Sequence, residues 1–274
     1  MKKIIIKSRI RIDGELNLKN ISSLDVNKPS LQKIKKIKLL YKNNEINLDK
    51  LFQVKITETN YHENEVVISG VNKFCNYLGY NWSSGVLRVK SNVGSFLGAR
   101  MSNGEIIVDG SVENYLGSEM EGGHILIKSN ALDFVGSPMP GGKAGINGGV
   151  IIILGSARDY LGFSMKRGKI YVKGDSRNYC ANNMIAGTII IKKKCGENLG
   201  IGMKRGTIIL HSDVVLNKNF VTSGGLSLIY LNLINNFFLK NFGERVFERK
   251  TIFKRFCGDI NNKGVGELLI KENG

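Results

Sequence analysis

Between residues 76 and 210 apolar and polar positions alternate on two scales. On the short scale, stretches such as Gly104-Glu105-Ile106-Ile107-Val108-Asp109-Gly110 alternate with a period of two. Such a stretch predicts a strand with Ile106 and Val108 on one face and Glu105, Ile107 and Asp109 on the other. On the long scale, each strand follows the same prelude: Tyr-Leu-Gly, two residues, Met, two residues, Gly. One column holds Trp82, Met101, Met120, Met139, Met165, Met184 and Met203, at steps of 19, 19, 19, 26, 19 and 19. The leading glycines are Gly79, Gly98, Gly117, Gly136, Gly162 and Gly200, and the closing ones Gly85, Gly104, Gly123, Gly149, Gly168, Gly187 and Gly206. One step is longer by 7 residues, and the extra residues fall between Met139 and Gly149.

A fixed period near 20 residues marks a stacked repeat, and the expected fold class is an all-β solenoid of about seven coils with a 19-residue period and small α/β caps. Like residues then form ladders. The unbranched methionines are expected to fill the centre; Trp82 in their column argues for packing rather than a thioether metal site. A half-apolar ladder of Tyr77, Phe96, Tyr115, Phe134, Tyr160 and Tyr179 is expected to stack. The column Asn76, Ser95, Asn114, Asp133, Asp159, Asn178 and Glu197 is expected to cap turns through side chain to backbone hydrogen bonds.

The flanks divide the chain. Residues 1–69 predict an N-terminal cap with strands at 4–6, 37–41, 52–56 and 66–68, including a hairpin over 34–46 with an Asn-Asn turn. Residues 70–212 hold the repeats, with an insertion at 140–148. Residues 213–274 predict a C-terminal cap: an amphipathic helix over 226–242 with Leu226, Tyr230, Leu233, Ile234, Phe237 and Phe238 on its apolar side, then strands over 246–256 and 266–271.

Composition narrows the function classes. Lys+Arg 40 against Asp+Glu 23 gives a net charge of +17, which favours acidic partners without choosing among them. The 33 glycines against 3 prolines fit many short strands and tight turns. Cys75, Cys180, Cys195 and Cys257 form no Cys-x-x-Cys pair and read as reduced. No signal peptide and no membrane-length apolar run is visible, so a cytoplasmic protein is expected. The histidines His62, His124 and His211 are isolated, and no P-loop, Gly-x-Ser-x-Gly or His-Glu-x-x-His occurs. No catalytic, cofactor-binding or metal-ligating residue is therefore expected. Candidate partner contacts lie where the repeat is broken: Pro140, Lys143, Ile146 and Asn147 in the insertion, and the doublets Lys166-Arg167 and Lys204-Arg205.

The unit Gly98-x-x-Met101-x-x-Gly104-x-Ile106-x-Val108-x-Gly110, repeated at 117–129 and 162–174, resembles the 13-residue repeat in the repeat-bearing subunit of formylmethanofuran dehydrogenase. That protein is similar in turn to the C-terminal domain of the glutamate synthase large subunit. The segments 33–54, 137–149 and 253–258 also fall where the repeat-bearing subunit has corresponding pieces. The resemblance implies a right-handed parallel β-helix acting as a cofactor-free, non-catalytic scaffold in an oxidoreductase complex of methanogenic archaea. That complex reduces carbon dioxide and attaches it as formyl to methanofuran. It also implies companions carrying a tungsten- or molybdenum-pterin, an amidohydrolase-like zinc site and iron-sulfur clusters, with no nucleic acid or membrane as partner. The alternatives are a stand-alone glutamate-synthase-like structural chain and a β-helix binding acidic polysaccharide.

Overall fold

The computed structural model describes residues 1–223, 228–248 and 251–272. In chain order the elements are β1 (Lys2–Ser8), β2 (Leu16–Asn17), α1 (Leu31–Lys35), β3 (Lys38–Tyr41), β4 (Asn44–Asn47), α2 (Leu48–Leu51), β5 (Phe52–Glu58), β6 (Glu65–Ser69) and β7 (Cys75–Asn76). The repeats contribute β8 (Val86–Val89), β9 (Glu105–Val108), β10 (His124–Ile127), β11 (Val150–Ile153), β12 (Lys169–Val172), β13 (Thr188–Ile191) and β14 (Thr207–Leu210). β15 (Val221–Thr222), α3 (Leu228–Phe242), β16 (Phe253–Gly258) and β17 (Gly266–Lys271) complete the chain.

These strands correct the expected fold class. They form a 13-stranded, mostly parallel sheet and a separate 4-stranded sheet, not a closed all-β solenoid. Each repeat supplies one four-residue strand; the rest runs through turns, joined across repeats by backbone hydrogen bonds and bridges such as Val93 to Val112. The physical reason lies in φ. Tyr115, Gly117, Glu119 and Gly123, all in one repeat, have φ of 64, 62, 54 and 77°, and residues in the left-handed region cannot continue a strand. With antiparallel strands at both ends of the large sheet and α3 packed on it, the layout is of the α/β type.

From β8 to β14 the strands pair in parallel and in register, so Leu87, Ile106, Ile125, Ile151, Ile170, Ile189 and Ile208 lie in one row. β6 and β1 extend the ladder at one end, and β17 at the other. The inner face packs on Met101, Met120, Met165, Met184 and Met203, all fully buried, and on Trp82. The aromatic ladder stacks with ring centroids 4.6 to 5.0 Å apart. The Asn/Asp column does more than cap its own turns. The Asn114 and Asp133 Oδ1 atoms accept from the backbone N–H of Asp133 and Asp159, one repeat further on, each at 3.0 Å.

The methionine column also needs correction. Ile146, fully buried, takes the position assigned to Met139: its N–H donates to Gly136 O, as Met120 N–H does to Gly117 O, and its carbonyl accepts from Lys166 N–H as that of Met101 does from Glu121 N–H. The looped-out residues thus begin at about Pro138 and end before Ile146. At the N-terminus the hairpin turn is Lys42-Asn43, with φ 48 and 63°, rather than Asn43-Asn44, and Ile34 belongs to α1.

The outer face of the sheet changes character along the ladder. Arg88, near the start, pairs with Glu65 at 2.7 Å, whereas Ile152, Tyr171, Ile190, Ile209 and Leu269 are buried beneath α3 and the segment around Val246 and Phe253. α3 therefore lies across the sheet rather than closing its far end. Its inward side is Leu231, Ile234 and Phe238; Tyr230 and Leu233, expected inside, are 39 and 63% exposed, and Leu226 lies outside the described residues. Asn235 sits on the inner side because its Oδ1 accepts from Val246 N–H at 2.9 Å and its Nδ2 donates to Phe247 O at 3.0 Å. Val246 packs as a loop residue, and the strand expected from 246 begins at Phe253. Among the described residues no helix is long and apolar enough to cross a membrane.

Gly149 and Gly141 test the spacing between repeats, because they share nearly the same φ, 80 and 82°. A methyl on Gly149 would meet Met120 Cε at 2.6 Å and Gly123 O at 2.7 Å, whereas one on Gly141 would meet nothing within 4 Å. Each alanine carries a left-handed backbone cost of roughly 1–2 kcal/mol, and Gly149→Ala alone adds overpacking of about 1–3 kcal/mol. Urea titration should place Gly149→Ala well below Gly141→Ala; equal midpoints would show that close approach is not limiting there.

A second prediction concerns His211, whose ring stacks on Phe247 at 5.8 Å and meets Phe253 edge-on at 6.1 Å. Burial, then the charges of Lys192 and Lys271, push its pKa down to about 4. The folded value lies below the unfolded one of about 6.5. The stability of the neutral ring is thus fully present above pH 6.5 and is lost as pH falls towards 4, on the order of 3 kcal/mol. His211→Phe should flatten the fall of Tm between those pH values, and an unchanged slope would show that this ring does not titrate with unfolding.

Candidate functional site

The inserted loop is held by a chain of polar contacts that crosses three repeats. Met139 N–H donates to Glu119 Oε1 at 3.2 Å, Arg100 Nε donates to Glu119 Oε2 at 2.8 Å, and Arg100 Nη1 donates to Tyr80 Oη at 3.2 Å. The Glu119 hydrogen bond, followed by the Tyr80 interaction, raises the Arg100 pKa above its ordinary value. Within the loop Gly142 N–H donates to Met139 O at 2.7 Å, and on its return Gly145 N–H donates to Ser164 O at 2.9 Å. Pro140, Lys143 and Asn147 are exposed, as surface contacts must be. Ile146 is not available for contact, because it fills the core.

The two basic doublets lie in one column. Lys166 N–H and Arg167 N–H both donate to Ile146 O, Ile185 N–H and Ala186 N–H to Met165 O, and Lys204 N–H to Met184 O. Lys166, Arg167, Lys204 and Arg205 are exposed, with the half-buried Ile185 and Ala186 between the doublets. The structure thus brings the doublets into a common strip. The signature glycines and the buried methionines are occupied in building the repeat and reach no cavity wall at these features.

Sequence reasoning missed Arg100 and Glu119 as the loop's anchors. The signal was present: they stand 19 residues apart with opposite charge, and a 19-residue period places such residues side by side. His124 is exposed, with its ring edge-on to Phe242 at 5.2 Å, and the burial it does have lowers its pKa. The four cysteines are free thiols; Cys75 and Cys180 are buried, Cys195 and Cys257 partly so. Among the described residues no group of three or more His, Cys, Asp or Glu side chains is placed to hold a metal ion. The chemistry these features offer is recognition: a pinned loop with an exposed tip and a row of cations.

No protein-family model and no curated protein matches the sequence. Among solved structures, one chain aligns over 98% of this chain and 100% of its own length, at 30% identity and a TM-score of 0.88. It belongs to the formyltransferase/hydrolase complex (FhcABCD) from Methylorubrum extorquens, whose X-ray crystal structure was determined in complex with methylofuran. The match thus spans nearly the whole of both chains. The chain belongs to the family of that component of the formyltransferase/hydrolase complex.

Proposed function

We propose that this chain is a non-catalytic scaffold subunit of a cytoplasmic multi-subunit enzyme that handles a formyl group on a methanofuran-type carrier. The observation that carries the reading is the end-to-end match, at 30% identity, to a chain that works within a formyltransferase/hydrolase complex. The construction of the chain supports the same reading. Its conspicuous residues are spent on a rigid ladder, while its exposed departures, the loop tip and the cationic strip, are suited to protein contact. In this reading formyl chemistry belongs to companion subunits, which hold any zinc, pterin-metal or iron-sulfur group, and this chain sets their spacing.

A second reading concerns the reaction class. The 13-residue repeat resembles that of formylmethanofuran dehydrogenase, which favours an oxidoreductase complex; the matched structure favours formyl transfer and hydrolysis. A formyl group is the cargo in both.

Affinity-tagged chain, expressed in its native cells and purified under mild conditions, is expected to bring down several larger polypeptides and a formyl-transferring activity that the isolated chain lacks. Stoichiometric tungsten or molybdenum in the eluate would select the dehydrogenase reading, and its absence the formyltransferase/hydrolase reading. Recovery of the chain as a monomer with full activity would sink the scaffold role.

A further inference from the structure

At the far end of the ladder, the turn between β16 and β17 folds back beside Lys204 and Arg205. Asp259, only 2% exposed, pins that turn. Its Oδ2 accepts from Gly202 N–H at 3.0 Å and its Oδ1 from Asn261 N–H at 2.9 Å, while Ile260 N–H donates to Asn219 O at 3.0 Å. The turn and the doublet enclose an open cavity of about 610 Å³ lined by Lys204, Arg205, Asn261, Asn262, Lys263 and Val265. Three cations and two amides line it, with no carboxylate among them. The acidic groups of the flanking strand and turn are already engaged: Asp259 by the two N–H groups, and Glu267 by Arg255 at 2.7 Å and Thr207 at 3.1 Å.

The cations have no such partner. Among the described residues Lys204, Arg205 and Lys263 form no ion pair, and neither do Lys166 and Arg167 two repeats away. At roughly 4.8 Å per strand the two doublets lie about 10 Å apart, a distance that an extended chain covers in about three residues. A small anion could fill the cavity but could not also reach Lys166 and Arg167; an acidic stretch of polypeptide can.

We infer that the strip from the Lys204–Lys263 cavity to Lys166-Arg167 docks an acidic, extended segment of a companion subunit, with the half-buried Ile185 giving an apolar contact midway. The inference rests on the scaffold reading and extends it to a defined surface and partner chemistry. Cations held without counter-ions beside a pinned turn attract a carboxylate-bearing partner and fix its register.

The test uses the native complex purified through the tagged chain. A carbodiimide joins a lysine amine to a carboxylate in direct contact as an amide, with loss of water, and mass spectrometry locates the joint. Lys204, Lys263 and Lys166 are expected to couple to Asp or Glu residues within one segment of one companion. Lys204→Glu with Arg205→Glu should lower companion recovery about tenfold, the effect of reversing two charge pairs. Lys204→Gln with Arg205→Gln should lower it less, and Lys33→Glu with Lys35→Glu, on α1, should leave it unchanged. Thermal unfolding of each variant separates lost docking from lost folding. A complex that stays intact while these lysines remain uncoupled, or a charge-reversed variant that keeps its companions, would overturn the docking surface and leave the scaffold reading standing. A wild-type chain recovered without companions overturns both.

Discussion

Registry between successive repeats is the constraint on which the rest of the structure depends. Once β8 to β14 pair in parallel and in register, every residue of a repeat faces its counterpart in the next. This explains an arrangement that would be costly in isolation: Tyr77, Phe96, Tyr115, Phe134, Tyr160 and Tyr179 all hold φ between 59 and 64°. A left-handed bulky residue costs roughly 1–2 kcal/mol. Stacking on the neighbouring ring returns about 0.5–1.5 kcal/mol per pair, and the Asn/Asp ladder beside it supplies hydrogen bonds that also run from repeat to repeat. At the last position of the column stands Asn198, φ 59°, a residue type that tolerates this conformation without a stacking partner.

The same constraint decides what happens to extra residues. An insertion kept within the ladder would shift every later residue off its counterpart, so the added chain leaves the ladder entirely. Ile146 then resumes the column with the hydrogen bonds of a methionine position. The excursion costs conformational entropy, and the Tyr80–Arg100–Glu119 chain limits it by holding Met139 at the point of exit. A loop anchored at both ends with an exposed tip presents a defined shape.

Much of this was legible in the sequence because registry converts spacing into proximity. The period, the ladder members and the strand centres could be read by subtraction, since a column 19 residues apart is a contact. What could not be read depended on contacts outside the period. The closed solenoid was expected because periodicity reveals stacking but not how much of each repeat is extended; that was set by φ values at positions such as Tyr115 and Glu119, which are not glycines. Met139 was placed in the core by residue type, whereas Ile146 holds the position by hydrogen bonding. The inner side of α3 was misread because Asn235 faces inward, satisfied by backbone atoms of Val246 and Phe247 that helical spacing does not reveal. Lys263 joins Lys204 and Arg205 through a turn pinned by Asp259, a link some 60 residues long that no local pattern announces.

Registry also governs where charge can be placed. Like charges in successive repeats would sit roughly 4.8 Å apart, close enough to repel, and where Lys173 and Lys192 do stand one repeat apart the first is paired with Glu244 at 3.0 Å and the second donates to Val246 O at 3.0 Å. Elsewhere the chain avoids the repulsion in two ways. Lys90 and Lys128 stand two repeats apart with Asp109 between them, bonded to both at 3.0 and 2.7 Å, and the charge is partly offset internally. Lys166-Arg167 and Lys204-Arg205 stand two repeats apart with Ile185-Ala186 between them, so repulsion is relieved by distance and the charge is left unbalanced. Of these two columns, one offsets part of its positive charge and the other does not, and the second lies beside a pinned, carboxylate-free cavity.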